Sequence, residues 1–337
     1  MVKHKPYNPI FQYKKILALI LLVTLLLFIG EVYLGPSHYS PSQVTNALLH
    51  KTGTVSIVVW DIRIPRAIGA ILTGLILGMS GLLLQVALRN PLAEPYLLGV
   101  SGGATLGVII SLAILPTLGY IAMNIAGFIG AILAVSLVIL VGELTGYNVY
   151  AVILAGVAVG GMTGSLALVI FITTLQGGRQ LGMLWMYGTL SLVGWSEAIQ
   201  LLVPTALTLL YIALYYKQLN LLLLGDEQAM SMGVNPRSAR RGMIIVSTIT
   251  VGMLTTYTGP IGFIGLMSPH IARMLVGSEV KRLSILTMPV AISLTLLADI
   301  MARNLLPSGQ EAPLGSMTAL LGVPFFLYLL SRRPAET

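Results

Sequence analysis

The chain has 337 residues, of which 56% are hydrophobic and 9% are charged, with a formal net charge of +8 at pH 7. Because a soluble domain carries about 25% charged residues, this composition excludes a soluble globular protein and predicts an integral membrane protein. The chain contains no cysteine, which excludes disulfides, thiolate metal sites and a cysteine nucleophile.

Ten apolar stretches are close to the length of about 20 residues that crosses a bilayer as a helix. The break between the seventh and eighth is Tyr-Thr-Gly-Pro at 257–260, and Ser-Pro-His at 268–270 is predicted to interrupt the eighth. We therefore expect an all-α polytopic bundle in which residues 1–337 form a single transmembrane domain. The ten predicted spans are 16–34, 67–88, 97–115, 119–141, 149–175, 197–216, 239–258, 260–276, 284–301 and 313–331.

The distribution of basic residues sets the predicted orientation of this bundle. Ten spans place both termini on one side, and placing them inside divides the 19 Lys and Arg residues 14 to 5 in favour of the cytoplasm. Both termini are therefore predicted to be cytoplasmic. The positive net charge follows from this asymmetry and does not indicate a nucleic-acid partner.

Glycine recurs at every fourth position in several spans, which places the glycines on one face of each helix. Such small residues let helix backbones approach closely within the membrane. We expect these glycine faces to pack helices of one subunit against each other. The alternatives are that they line a pore or form the interface between two copies of the chain. The series are Gly74 and Gly78; Gly99, Gly103 and Gly107; and Gly156, Gly160 and Gly164.

A corner with two prolines joins the second and third spans. Residues 89–95 read Arg-Asn-Pro-Leu-Ala-Glu-Pro, and each proline removes a backbone donor and disfavours helix at the residue before it. The chain must therefore turn here, with the freed carbonyl groups facing protein or water. Arg-Ile-Pro-Arg at 63–66 lies upstream of this corner, and Leu-Gly-Val-Ser-Gly-Gly-Ala at 98–104 lies downstream.

These segments resemble the FecCD family, the membrane permeases of ATP-driven importers for iron chelates, haem and cobalamin. Further matching fragments follow in the same order, at residues 154–158, 262–266, 269–273 and 298–300. The resemblance extends over about residues 57–330. It implies a cobalamin-permease-like helical bundle in the cell (inner) membrane.

The resemblance also implies the partners of the chain. A second copy would form a homodimer around the translocation path, two ATP-binding cassette subunits would bind ATP and Mg²⁺, and an extracytoplasmic binding protein would deliver the substrate. The chain itself would be surrounded by membrane lipid, hold no cofactor and catalyse no reaction. Consistent with this, its sequence lacks the Gly-rich phosphate-binding loop that ATP hydrolysis requires.

A short polar segment between the sixth and seventh spans is predicted to form a helix of about two turns. Asp226 is expected to cap it and Gly233 to end it, and a helix this short needs something to dock on. The residues alone leave a groove in a partner and the bilayer surface as equal alternatives. The resemblance implies that this coupling segment, about 220–237, contacts the ATPase through Gly225, Asp226, Glu227, Ala229, Met230 and Gly233.

The resemblance further implies a cytoplasmic gate in the loops that follow the second and fourth spans. It maps to Asn90 and Leu92 in the double-proline corner, and to Val149 and Tyr150 in the second loop. At the second pair this chain has larger and more apolar residues than the small hydroxyl-bearing ones of some relatives. A tighter seal or a smaller substrate is expected from that difference.

Three arginines are predicted at outer membrane ends, namely Arg63, Arg66 and Arg303. One interpretation is that their side chains only snorkel to the membrane surface. The other is that they dock acidic residues of the delivery protein, since the guanidinium fork suits carboxylates; the resemblance implies this second role. Asp299 precedes Arg303 by four residues and is expected to pair with it along the helix.

The sequence also bears on competing classes of protein. An ion-coupled secondary transporter should show a titratable residue inside the bilayer, and we place none of the acidic residues at the membrane midplane. His270 has no second ligand at metal-binding spacing, so we predict no metal site. The substrate stays open among iron chelates, haem, cobalamin and a small metal oxyanion such as molybdate.

Overall fold

The computed structural model describes residues 9–114, 119–174, 185–306 and 310–331. All regular structure in these ranges is helical, and a π-helical turn at Val58–Arg63 and a 3₁₀ turn at Pro95–Leu98 accompany the α-helices. The α-helices are α1 (Pro9–Tyr33), α2 (Pro41–His50), α3 (Thr54–Ile57), α4 (Ile64–Ala87), α5 (Val100–Ile114), α6 (Gly119–Leu144), α7 (Val149–Thr174), α8 (Trp195–Leu224), α9 (Asp226–Ser231), α10 (Pro236–Thr258), α11 (Ile264–Val276), α12 (Val280–Asn304) and α13 (Leu314–Ser331).

The all-α prediction is confirmed, and each of the ten predicted spans lies on one of the longer helices. Six of them are long and apolar enough to cross a membrane, α5, α11 and α13 are apolar but shorter, and α10 is long enough but less apolar. The number of ten crossings and the side on which the termini lie stay predictions.

Neighbouring helices run in the directions that ten alternating spans require. The Thr24 hydroxyl of α1 lies 2.8 Å from that of Ser293 in α12, and the Glu31–Arg303 pair joins the same two helices further along, so they are parallel. The Arg66–Asp299 pair joins α4 to α12 in the antiparallel sense. We call the end that carries the turns after α4, α6 and α8 the inner end, and the opposite one the outer end.

Helix α4 lies at the centre of the bundle. In the most apolar 18-residue stretch of the helical segment that contains α4, 83% of the residues are buried. The corresponding share is 17% in α7 and 11% in α1. Leu77, Met79 and Leu82 of α4 are almost completely enclosed by α8, α10, α11 and α12. Helices α1 and α7 therefore form the periphery, where exposed leucine and valine side chains suit contact with lipid.

The two predicted breaks near residue 260 have different outcomes. Helix α10 ends at Thr258 and is followed by Gly259 with φ +65°, which confirms the first break. The second prediction is wrong, because α11 continues through Pro269. A proline inside a helix removes the hydrogen-bond donor of only one carbonyl, that of the residue four positions earlier. For Pro269 this is the Gly265 carbonyl, which packs closely against Gly81 of α4.

The glycine series pack helices within the subunit at some positions and not at others. A Cβ on Gly103 of α5 would lie 2.5 Å from the Cβ of Ala134 in α6, and one on Gly107 would overlap the Ala126 carbonyl. A Cβ on Gly164 of α7 would meet nothing within 4 Å. Close backbone contact therefore explains Gly103 and Gly107, whereas nothing in the subunit explains Gly164.

Gly103→Ala and Gly164→Ala should have opposite effects on stability. Both replace a helical glycine, a change that favours the helix by about 1 kcal/mol. At Gly103 the added methyl must push α5 and α6 apart, which costs about 1–3 kcal/mol in overpacking. Thermal unfolding in detergent should show a lower Tm for Gly103→Ala and an equal or higher Tm for Gly164→Ala; equal Tm values would contradict the close packing.

Candidate functional site

The corner after α4 is a helix end closed by a non-glycine residue. Arg89 has φ +45°, its N–H bonds to the Val86 carbonyl at 3.3 Å, and the Asn90 N–H bonds to the Gln85 carbonyl at 3.2 Å. This is the Schellman pattern of hydrogen bonds. The Asn90 side-chain oxygen then accepts the Leu92 N–H at 2.9 Å, and the Leu92 side chain is left 38% exposed.

The corner after α6 repeats this arrangement. Gly146 and Tyr147 have φ of +61° and +59°, and the Asn148 side-chain oxygen accepts the N–H groups of Tyr150 at 3.0 Å and Ala151 at 3.2 Å. The Tyr150 side chain is 84% exposed. Each corner thus holds an asparagine that fixes the backbone two residues ahead and presents one apolar side chain at the inner end.

Of the predicted gate residues, Leu92 and Tyr150 are presented at the surface and the other two are not. Asn90 is half-buried and engaged with its own backbone, and Val149 packs against the main apolar core. The sequence carries a signal for this difference, because an Asn at the start of each turn favours a side-chain-to-backbone bond two residues ahead.

The coupling segment contains a shorter helix than predicted. Helix α9 spans six residues, and its N-cap is Gly225, with φ +130° and ψ 157° and no side-chain capping bond. The Asp226 cap is therefore wrong. Gly233, with φ +80°, follows the end of the helix as expected, and its N–H bonds to the Met230 carbonyl at 2.9 Å.

The face that α9 presents also differs from the prediction. Ala229 is fully buried in the main apolar core, so it cannot contact a partner, because the helix docks on its own subunit through this residue. Met230 and Met232 are 56% and 62% exposed, and Glu227 is exposed beside them. The outward surface of the coupling segment thus includes two methionines and a carboxylate.

Asp226 faces its own subunit and forms the centre of an ionic cluster at the inner end. Its carboxylate lies 2.5 Å from Arg89 Nη2 in the first corner and 2.8 Å from Arg240 Nη2 in α10. The Arg89 guanidinium also donates to the Leu222 carbonyl at 3.2 and 3.0 Å. These partners explain why Asp226 does not cap α9.

A second ionic cluster joins the corner after α6 to the start of α10. Glu143 lies 2.6 Å from Arg237 and 3.6 Å from Arg241, and the Tyr147 hydroxyl donates to Glu143 at 2.9 Å. Burial and the adjacent Glu143 carboxylate raise the pKa of Tyr147 to about 12, so the phenol keeps the proton that it donates.

The three outer arginines are buried, so their side chains do not snorkel to the membrane surface as the first interpretation expected. Arg63, Arg66 and Arg303 are 3%, 5% and 2% exposed. Arg63 donates to the carbonyls of Val32, Tyr33 and Ser37 at 2.9, 2.9 and 2.6 Å. A buried guanidinium must be paired, and here the partners come from the subunit itself.

Arg66 and Arg303 are the cations of one buried charge network. Arg66 binds both oxygens of Asp299 at 2.9 Å and lies 2.8 Å from Glu311. Arg303 lies 3.2 Å from Asp299, which confirms the predicted pair, and 2.5 Å from Glu31. A docking role for these arginines stays a prediction, and their burial argues against direct contact with a delivery protein.

One buried carboxylate was missed by the sequence analysis. Glu94 accepts the Phe263 N–H at 2.5 Å, just before α11 begins, and it is 9% exposed. The next residue, Pro95, packs against Gly265, which itself lies beside the Leu77 carbonyl well inside α4. The segment after the first corner therefore folds back into the bundle, and an acidic residue does lie inside it, at the positive end of a helix.

Within the described ranges, no three His, Asp or Glu side chains cluster in a way that could hold a metal ion. The His270 ring packs edge-on against Phe325, with ring centroids 5.9 Å apart. The His270 side chain therefore takes part in aromatic packing between α11 and α13.

The chain matches the model of the FecCD transport family over residues 20–332. It belongs to the FecCD family, as its motifs predicted, and is a multi-pass permease of the cell (inner) membrane. The match includes both inner corners, the coupling segment and the buried charge network.

Curated relatives of similar length agree with this assignment. The chain is 36% identical to a hemin transport system permease protein of Yersinia pestis, over 96% of this chain and 97% of the relative. It is 34% identical to a probable iron chelatin transport system permease protein of Helicobacter pylori, over 93% and 95%. A vitamin B12 import system permease protein of Vibrio vulnificus is 33% identical, over 93% and 91%.

A solved structure shows the same fold. An inward-facing metal-chelate type ABC transporter superposes with a TM-score of 0.81 at 27% identity, covering 95% of this chain and 100% of that one. The predicted cobalamin-permease-like bundle is thereby confirmed as the fold class.

Asp299→Asn should destabilise the protein far more than a matched change at an exposed ion pair. Removing one member of a buried network leaves Arg66 and Arg303 less compensated, at a cost of about 3–5 kcal/mol. Glu279→Gln removes one member of the Glu279–Arg282 pair, whose side chains are 49% and 44% exposed, at a cost of about 0–1 kcal/mol. Thermal unfolding in detergent separates the two, and a similar small shift in both would show that the network adds nothing.

Proposed function

We propose that the chain is the transmembrane permease subunit of an ATP-driven, binding-protein-dependent importer of metal chelates. The observation that carries the proposal is the family match over nearly the whole chain, combined with two apolar corners and a methionine-bearing short helix at one end of the bundle. The relatives are named as permeases for hemin, iron chelatin and vitamin B12. These are metal chelates, so the proposal is made at that level.

In this proposal two copies of the chain enclose the path, and each copy binds one ATP-binding cassette subunit. ATP and Mg²⁺ belong to those subunits, and an extracytoplasmic binding protein delivers the chelate to the outer end. The permease catalyses no reaction. The resemblance to a metal-chelate type ABC transporter over the whole of that solved chain supports this division of labour.

The exposed face of α9 is the contact with the ATPase in this proposal. Met230 and Met232 are unbranched and polarizable side chains that can adapt to an apolar groove, and helix-in-groove docking uses side chains on one face. Leu92 and Tyr150 form the inner gate in this proposal, because each is an exposed side chain at a corner whose backbone an asparagine holds. Their copies from the second subunit would complete the seal.

Reconstitution tests the function directly. The permease, its ATPase and its binding protein, placed together in proteoliposomes, should take up a labelled ferric chelate, hemin or cobalamin only when ATP is inside the compartment that holds the ATPase. Uptake that follows an ion gradient without ATP would instead support a secondary transporter, the class in which Glu94 would be a functional carboxylate.

Met230→Arg and Met232→Arg should release the ATPase from an inserted and folded permease. An arginine at the centre of an apolar contact would be buried without a partner, which is costly. Met274→Arg is the matched control, since this methionine of α11 is 63% exposed and lies outside the coupling segment. Co-purification should fall at least about ten-fold for the first two variants, by roughly 1.4 kcal/mol or more, and remain unchanged for the control.

Leu92→Cys should cross-link between two copies of the chain in a state-dependent way. Leu92 is 38% exposed on the first corner, and the chain has no native cysteine, so a disulfide would report a single site. Cross-linking should be efficient when the inner side is closed and poor when it is open. Leu19→Cys, on the exposed face of α1, should not respond to nucleotide, and a Leu92→Cys signal that ignores nucleotide would place the gate elsewhere.

A further inference from the structure

Arg89 has a backbone conformation that normally selects glycine. It lies at the left-handed position of the turn that ends α4, with φ +45°, where a Cβ is unfavourable and glycine is the usual residue. When a non-glycine residue is held in this region, its side chain often makes contacts that offset the unfavourable backbone conformation. The Arg89 guanidinium makes such contacts.

The Arg89 side chain spans the junction between α8 and α9. Its Nε and Nη2 donate to the Leu222 carbonyl at 3.2 and 3.0 Å, one of the last four carbonyls of α8, which have no donor within the helix. The same Nη2 donates to Asp226 at 2.5 Å. Between Leu222 and Asp226 lies Gly225, with φ +130°, so one arginine holds both sides of the point at which the chain enters the coupling segment.

Asp226 is held from the opposite side by α10. Arg240 Nη2 donates to both of its oxygens, at 2.8 and 3.0 Å. Asp226 therefore cannot move with α9 unless Arg89 moves or the ion pair breaks. Arg89 is followed directly by Asn90, whose side-chain oxygen accepts the N–H of Leu92 at 2.9 Å, so a continuous series of contacts connects Asp226 to Leu92.

The second corner has a weaker link of the same kind. Glu143 and Tyr147 at that corner bind each other, and Glu143 binds Arg237 at the start of α10. The coupling segment is thus tied to one gate corner at Asp226, the first residue of α9, and to the other corner at Arg237, near its far end. The Arg237 side chain is 60% exposed, whereas the Arg89 side chain in the first link is 37% exposed, so solvent screens the second arginine more strongly.

We propose that Arg89 is a positioning residue that transmits movement of the coupling segment to the gate corner through its ion pair with Asp226. This inference rests on the proposed function, since it names the route by which movement of the ATPase reaches Leu92. The Glu143–Arg237 pair is the secondary route to Tyr150.

Arg89→Gly separates the relay from a merely structural role. Glycine adopts φ +45° more readily than arginine, so the turn after α4 keeps its shape while the link to Asp226 is lost. In the reconstituted complex, substrate taken up per ATP hydrolysed should fall about five-fold, the scale of a partly exposed charge-assisted pair. The ATPase should remain bound, since Met230 and Met232 are untouched.

Further variants give the expected order of effects. Asp226→Asn should uncouple as strongly as Arg89→Gly, and Arg89→Lys should lie between Arg89→Gly and wild type, because lysine keeps the charge but not the fork. Glu143→Gln should have a smaller effect. Glu279→Gln is the matched control. It breaks the exposed pair between Glu279, the N-cap of α12, and Arg282 in the first turn of that helix. This pair lies at the inner end but does not connect a corner to the coupling segment.

A second readout follows the gate itself. Cross-linking of Leu92→Cys should depend on nucleotide in the wild-type background and lose that dependence when combined with Arg89→Gly. Wild-type coupling and nucleotide-dependent cross-linking in the Arg89→Gly variant would overturn the relay alone. Failure of the wild-type complex to couple uptake to ATP would overturn the proposed function, and the relay with it.

Discussion

The ion pair between Arg66 and Asp299 is the contact on which the architecture depends. The bundle interior is shielded from water, so each charged group inside it needs a charged or hydrogen-bonding partner within the protein. Arg66 of α4, Asp299 and Arg303 of α12, and Glu31 of α1 are joined by ion pairs. They fasten the central helix to two neighbours at the outer end, where Glu311 adds the chain that leads into α13.

The inner end is held by contacts of a different strength. Its ion pairs are partly exposed, and the carboxylates of Asp226 and Glu143 are 37% and 30% accessible. Exposed pairs exchange with water at little cost, whereas breaking the outer network would leave buried charges unpaired. The molecule is thus fixed at one end and adjustable at the other, which suits a bundle whose inner gate opens and closes under force from a docked partner.

Backbone-to-backbone contact supplies the rigidity between those two ends. Gly103 meets Gly130, and Gly81 meets Gly265, with no room for a Cβ. Helices that touch through their backbones leave little room for independent bending, so these helices pack as closely joined groups. The fold-back of Glu94 against the start of α11 extends this packing to the segment after the first corner.

The sequence by itself determined the membrane class, the all-helical fold, the family and the positions of most turns, because hydropathy, proline and glycine act locally along the chain; the helix that continues through Pro269 is the exception. It located both corners and the coupling segment, and it paired Asp299 with Arg303, since four residues bring them together on one helix. Only the tertiary structure decided which way side chains face. In that structure Ala229 faces inward, and Asp226 pairs with Arg89 and Arg240. Arg63, Arg66 and Arg303 are buried, and the ion-pair partners of the last two include Glu311 and Glu31, which are distant in sequence. Such pairings depend on which helices are neighbours, and helices that are equally apolar carry no local signal of that choice.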